Sequence, residues 1–72
     1  MADDTLTMGG VVTEALRGGL FRVVMNDSGH EVLATLSGRM RRNRIKVIIG
    51  DKVEVEVSVY DLARGRITYR HK

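Results

Sequence analysis

Cysteine, proline and tryptophan are absent from the 72 residues, and only three aromatic side chains occur: Phe21, Tyr60 and Tyr69. Without cysteine there can be no disulfide and no thiolate metal site, and a reducing compartment suits such a chain. The two histidines, His30 and His71, lie 41 positions apart without metal-ligand spacing, so they read as solvated surface residues. Neither a metal nor a cofactor is expected. Three aromatics are too few for the row of stacked rings on which non-specific single-strand binders seat successive bases. Long apolar runs are also missing. The longest are a few residues, such as Val47-Ile48-Ile49, which excludes a membrane-spanning helix. The opening MADDTLTMGG carries two acids and no apolar stretch, unlike a secretory signal. A cytoplasmic domain with no membrane partner is therefore expected.

Nothing in the chain equips it for turnover. No glycine-rich phosphate loop, nucleophile–base pair or metal site occurs. Asp3-Asp4 is a terminal pair, and residues 1–5 read as a disordered tail ahead of the domain. Glu54 and Glu56 share the outer side of one strand pattern, where solubility and edge protection account for them. The expectation is a binding protein, not an enzyme.

Hydrophobic residues make up 43% of the chain, as in an ordinary globular domain, which argues against wholesale disorder. A chain this short buries only about 60% of the surface its unfolded form exposes, so closure of a barrel would be a useful supplement.

Charge is placed unevenly. The net value is +3, yet residues 39–46 (RMRRNRIK) hold five cations and residues 64–72 (RGRITYRHK) hold four, and neither stretch contains an acid. Cations in such clusters cannot neutralise one another, and their mutual repulsion is relieved best by an anionic polymer. A solvated basic surface without a partner would show the same composition. Two clusters in a chain with pI ≈ 9.8 make nucleic acid the first hypothesis.

The hydrophobic period is that of strands. Val53, Val55, Val57 and Val59 alternate with Lys52, Glu54, Glu56 and Ser58. Phe21, Val23 and Met25 fall on one side of a second segment, and Val32, Ala34 and Leu36 on one side of a third. Ile67 and Tyr69 oppose Arg66, Thr68 and Arg70 in the last, which assigns Phe21 and Tyr69 to the core. A first segment over residues 6–16 contains Gly9-Gly10, a pair that predicts a bulge or sharp bend there. Turn residues punctuate the strands at Arg17-Gly18-Gly19, Asn26 to Gly29, Ser37-Gly38, Gly50-Asp51 and Arg64-Gly65.

The basic stretch 39–46 leaves no apolar face if wound as a long helix. A single helical turn after Ser37-Gly38, with Ser37 as N-cap and Met40 tucked inward, is the better reading. From residue 42 an extended segment then puts Arg42, Arg44 and Lys46 on one side and Asn43, Ile45 and Val47 on the other.

Five short strands cannot form a large sandwich, but they can coil into a small barrel whose open end Met40 covers. The predicted fold is all-β: a single five-stranded oligonucleotide/oligosaccharide-binding (OB) barrel with a short helical turn between strands three and four. An SH3-like barrel is the alternative.

The stretch SGRMRRNRIKVIIGDKVEVEVSVYDLARGRITYR, the opening MGGVVTEALRGGLFRV and the total length together resemble bacterial translation initiation factor one. The likeness spans nearly the whole chain. It implies an S1-like OB barrel that binds the aminoacyl-tRNA (A) site of the small ribosomal subunit. It further implies contacts with the rRNA of the decoding region and a neighbouring ribosomal protein, action as a monomer, and cooperation with initiation factors two and three. Carried onto this chain, the rRNA-binding residues are Arg39, Arg41, Arg42, Arg44 and Lys46 in the first basic stretch. Tyr60, Arg64, Arg66 and Arg70 in the YDLARGRITYR stretch complete the set. The chain departs from the family pattern at Arg44, which adds charge, at Thr35, where the family often has histidine, and at Val59, where it often has proline.

Arginine predominates among these cations, and its planar fork can bond two phosphate oxygens or stack on a base. Such side chains suit docking on a preformed RNA surface, which proteins read by shape, loops and unstacked bases. A cold-shock-like general RNA chaperone and a protein-docking adaptor are the competing readings.

Overall fold

The computed structural model describes residues 4–71. β1 (Thr5–Leu16) is followed by a single 3-10 turn at Arg17–Gly19, then β2 (Leu20–Met25), β3 (Glu31–Leu36), α1 (Gly38–Arg42), β4 (Lys52–Ser58) and β5 (Asp61–His71). Of the disordered tail expected over residues 1–5, residues 1–3 lie outside the described residues. Thr5 itself lies opposite Ser58, and the Asp4 carbonyl accepts the Val59 N–H at 2.9 Å.

The strands close into a barrel in the order β1-β2-β3-β5-β4. Every pair is antiparallel except β3–β5, where Leu33 to Leu36 run alongside Arg64 to Ile67. That order, with a helix between β3 and β4, is the predicted OB arrangement. Closure depends on the length of β1, which pairs through Thr5–Val11 with β4 and through Gly10–Leu16 with β2. Gly10 is buried where β1 passes between both neighbours: a β-carbon there would lie 2.7 Å from both Val23 Cγ1 and the Val24 carbonyl oxygen. Close approach of strands therefore accounts for this glycine, and the register stays regular through the pair. The bulge predicted at Gly9-Gly10 lies instead at Thr13, between Val12 opposite Val23 and Glu14 opposite Arg22.

The core consists of Val12, Val23, Met25, Val32, Ala34, Met40, Val47, Val53, Val55, Val57 and Ile67, with Phe21, Leu36, Met8 and Ile45 packed at its margin. No polar or charged side chain is buried among the described residues, so every cation there faces outward or lies at the barrel's end. The β4 alternation holds through Val57. Val59 is 44% exposed, because the strand ends at Ser58 and Val59 enters the turn.

The last strand departs most from its predicted phase. Tyr69 is opposite Glu54 whereas Ile67 is opposite Val55, which leaves Thr68 as an extra residue on β5. The bulge rotates everything after it. Tyr69, expected in the core, is 56% exposed, and Arg70, expected outside, takes the inward phase opposite buried Val53. No helix among the described residues is long and apolar enough to cross a membrane.

Candidate nucleic-acid interface

α1 is a single turn that presents arginines. Ser37 caps it, its Oγ accepting the Met40 N–H at 3.3 Å. Met40 is 1% exposed and plugs the barrel mouth, as the spacing predicts. With Met40 turned in, Arg39, Arg41 and Arg42 are left in solvent. The Ser37 N–H bonds the Ile67 carbonyl at 2.9 Å, which ties the helix start to β5 and brings the two basic stretches side by side.

Beyond the helix the chain turns sharply. Asn43 and Arg44 donate to the carbonyls of Arg39 and Arg41, and Arg44 adopts φ 55°, a conformation that side-chain-bearing residues rarely take. The extended segment expected from residue 42 therefore begins only after Arg44, and Asn43 is exposed rather than inward. From there the predicted alternation holds: Arg44 and Lys46 are exposed, Ile45 is half-buried and Val47 is buried.

On β5, Arg64 stands beside Leu33, and Arg66 lies between Thr35 and Glu56. Both are exposed. Arg70 differs. It is half-buried, and its Nη1 donates to the Lys46 carbonyl.

The two basic stretches meet in one hollow of about 570 Å³, walled by Arg39, Tyr69, Arg70 and His71 over Met40 and Ile45. Arg64 and Arg66 line a second hollow, of about 320 Å³, which they share with Glu56 and Asp61. At the strand rise of about 3.3 Å per residue, Arg64 lies some 20 Å along β5 from Arg70. The cations thus form a band from α1 down β5 rather than a single point. Tyr60, 81% exposed in the β4–β5 turn, stands at the end of β5 away from α1.

No cation of this band lies within ion-pair distance of a carboxylate among the described residues. The side chains within ion-pair distance of a carboxylate among the described residues are Arg22, beside Glu14 and Glu31, and the His71 ring, beside Glu54. No such contact involves Arg39, Arg41, Arg42, Arg44, Lys46, Arg64, Arg66 or Arg70. No group of three His, Asp or Glu side chains among the described residues could hold a metal ion.

The two ring side chains of the hollow lie outside the set that the sequence marks. Tyr69 belongs to the core by its strand phase, yet its exposed ring meets that of His71 edge-on, with centroids 5.0 Å apart. His71 reads as a solvated tail residue, yet its Nε2 lies 3.2 Å from Glu54 Oε2. No local signal marks either, because both placements follow from the bulge at Thr68. His30, which also reads as solvated, is exposed but bonds through Nε2 to the Leu62 carbonyl at 2.9 Å and pins the β2–β3 turn to the start of β5.

The model of the family described as translation initiation factor 1A / IF-1 matches residues 1–72. The solution structure of translation initiation factor one from the Wolbachia endosymbiont strain TRS of Brugia malayi is similar at 42% identity, with a TM-score of 0.80. The match covers 97% of this chain and 82% of that one. YjeQ from Thermotoga maritima shares the fold at 24% identity and a TM-score of 0.75, over 93% of this chain and 23% of that chain. With the family match running the full length of a barrel of this topology, the chain belongs to the translation initiation factor 1A / IF-1 family.

Proposed function

We propose that this protein binds the small ribosomal subunit at the A site through rRNA of the decoding region and a neighbouring ribosomal protein. By occupying that site it blocks premature tRNA entry and assists initiation factors two and three. It works as a cytoplasmic monomer without a cofactor. The observation that carries this reading is the band of cations running from α1 along β5, with none of them paired to a carboxylate among the described residues. Arg39 at the hollow, and Arg41, Arg42, Arg44 and Lys46 on the adjoining turn and loop, supply phosphate contacts, and Arg64 and Arg66 extend them along β5. Tyr60 serves as an outlying aromatic contact.

A preformed barrel that offers fixed cations suits a preformed RNA surface, where little ordering has to be overcome on binding. The aromatics favour this over a cold-shock-like mode. Tyr60 and Tyr69 are exposed but separated by most of the length of β5, so they cannot stack successive bases. Preference for one subunit conformation would follow if this band fits that conformation better than the alternatives.

Footprinting on purified small subunits tests the assignment directly. Protection confined to the decoding region is the expected result, and protection elsewhere, or none, rejects it. A parallel salt series with unstructured RNA separates the chaperone alternative, which predicts equal affinity for both. Binding to ribosomal proteins without RNA would favour the adaptor alternative. With about five phosphates neutralised, the logarithm of affinity falls against the logarithm of salt with a slope near −3.5.

A further inference from the structure

We propose that Arg70 is a positioning residue, which holds the basic loop between α1 and β4 through the Lys46 carbonyl and does not itself contact phosphate. Its effect on binding rests on the rRNA-binding reading above; the anchoring itself does not.

The loop has no strand partner over residues 43–50. Its near end is held by the Ile45 N–H on the Met40 carbonyl at 3.0 Å. Its far end is held by Gly50 N–H on the Val12 carbonyl at 2.8 Å and Val12 N–H on the Asp51 carbonyl at 3.0 Å. Between these anchors Arg70 Nη1 meets the carbonyl of Lys46, supplying the hydrogen bond that a neighbouring strand would otherwise provide. A guanidinium donor makes that a charge-assisted bond, stronger than its neutral counterpart.

Arg70 reaches the loop because of the Thr68 bulge. The shift puts Arg70 opposite Val53, a core residue, and Tyr69 opposite Glu54. A regular β5 would send Arg70 outward with Arg64 and Arg66. Those two are exposed and free to meet a phosphate, whereas Arg70 is half-buried and commits its Nη1 to the Lys46 carbonyl. Lys46 and Arg44, whose backbone Arg70 steadies, carry the contacts instead.

The test uses Arg70→Met, which keeps an apolar stem against the barrel and deletes the donor, with Arg70→Lys as a second variant that retains a cationic donor. Amide hydrogen exchange in the free protein reads the anchoring. At least tenfold faster exchange at Ile45, Ile48 and Gly50, with Val55 and Val57 unchanged, is expected for Arg70→Met, and slower loop exchange again for Arg70→Lys. Wild-type exchange across the loop in Arg70→Met overturns the proposal, whatever happens to affinity. Binding to purified small ribosomal subunits across a salt series reads the second half. Affinity about tenfold weaker with an unchanged salt slope is expected, because no phosphate contact has been removed. A slope smaller in magnitude by about 0.7 to 0.9, the share of one phosphate, overturns it. If wild-type protein does not bind the subunits, the rRNA reading fails, and the exchange data still decide whether Arg70 anchors the loop.

Discussion

Arg22 and Glu14 face each other across β1 and β2, with Nη1 and Oε1 2.6 Å apart, and Glu31 lies 3.8 Å from the same guanidinium. An arginine outside both basic stretches is thus held by two acids, while the seven cations assigned to RNA are held by none among the described residues. Arg22 serves the barrel wall. Its side chain is 40% exposed and Glu14's is 48%, so water screens the pair and its contribution is about 0–1 kcal/mol. Arg22→Ala should lower stability by no more than that in urea denaturation and leave subunit affinity and its salt slope unchanged.

Arg41 and Arg66 sit on different elements, both exposed and without a carboxylate partner among the described residues. Replacing both by Ala should leave the circular dichroism spectrum and the unfolding midpoint unchanged while subunit binding weakens. With about 0.7 to 0.9 lost per phosphate, the salt slope should shrink by about 1.4 to 1.8. Unaltered affinity and slope would remove the cation band from the mechanism.

Arg44 joins a cost in the fold to a gain on the surface. It follows α1 at φ 55°, a place where helices usually put glycine, and the left-handed conformation costs a side-chain-bearing residue about 1–2 kcal/mol. Arg44→Gly should therefore raise thermal stability, by somewhat less than this once glycine's greater freedom in the unfolded chain is counted. The same variant should bind subunits more weakly. Stability and affinity moving together would contradict the placement of Arg44 on the interface.

Gly65 faces the core where β5 crosses β4. A β-carbon there would lie 2.7 Å from Cγ1 of both Val55 and Val57 and 2.8 Å from the Glu56 carbonyl oxygen. Gly65→Ala should overpack the barrel and cost about 1–3 kcal/mol. In a domain of this size each kcal/mol lowers the midpoint by about 4–8 °C, a shift that a thermal melt resolves.

Met40 and Ser37 separate the plug from its cap. Met40→Ala opens the barrel mouth and should cost about 2–5 kcal/mol, since the side chain is 1% exposed. Ser37→Ala removes the bond to the Met40 N–H and should cost about 0.5–2 kcal/mol. Denaturant titration ranks the two. The reverse order would mean that the helical turn is held by its cap rather than by Met40.

Most of the barrel is legible along the chain. Val53, Val55 and Val57 alternate with polar neighbours because β4 has one wet face and one dry face, and period two records that directly. Met40 stands out as the apolar residue among arginines, and Ser37 as the cap of its turn. The misreadings share a cause. Gly9-Gly10 suggests a bulge when Gly10 serves a close crossing of strands, and the phase of Tyr69 suggests the core when a bulge at Thr68 turns it out. In both cases the neighbouring strand decides the outcome, and a local pattern contains no record of its partner.

The family resemblance, the strand period and the two acid-free basic stretches are all properties of the sequence by itself. They determine that the chain forms a small barrel with arginines to spare. Which arginines stay available is left to the tertiary structure. Arg64 and Arg66, ahead of the bulge, face solvent, but pairing of β5 with β4 leaves Thr68 as an extra residue, so Arg70 turns back to the loop. Side-chain direction on a strand depends on register, and register is set by hydrogen bonds between segments far apart in the chain.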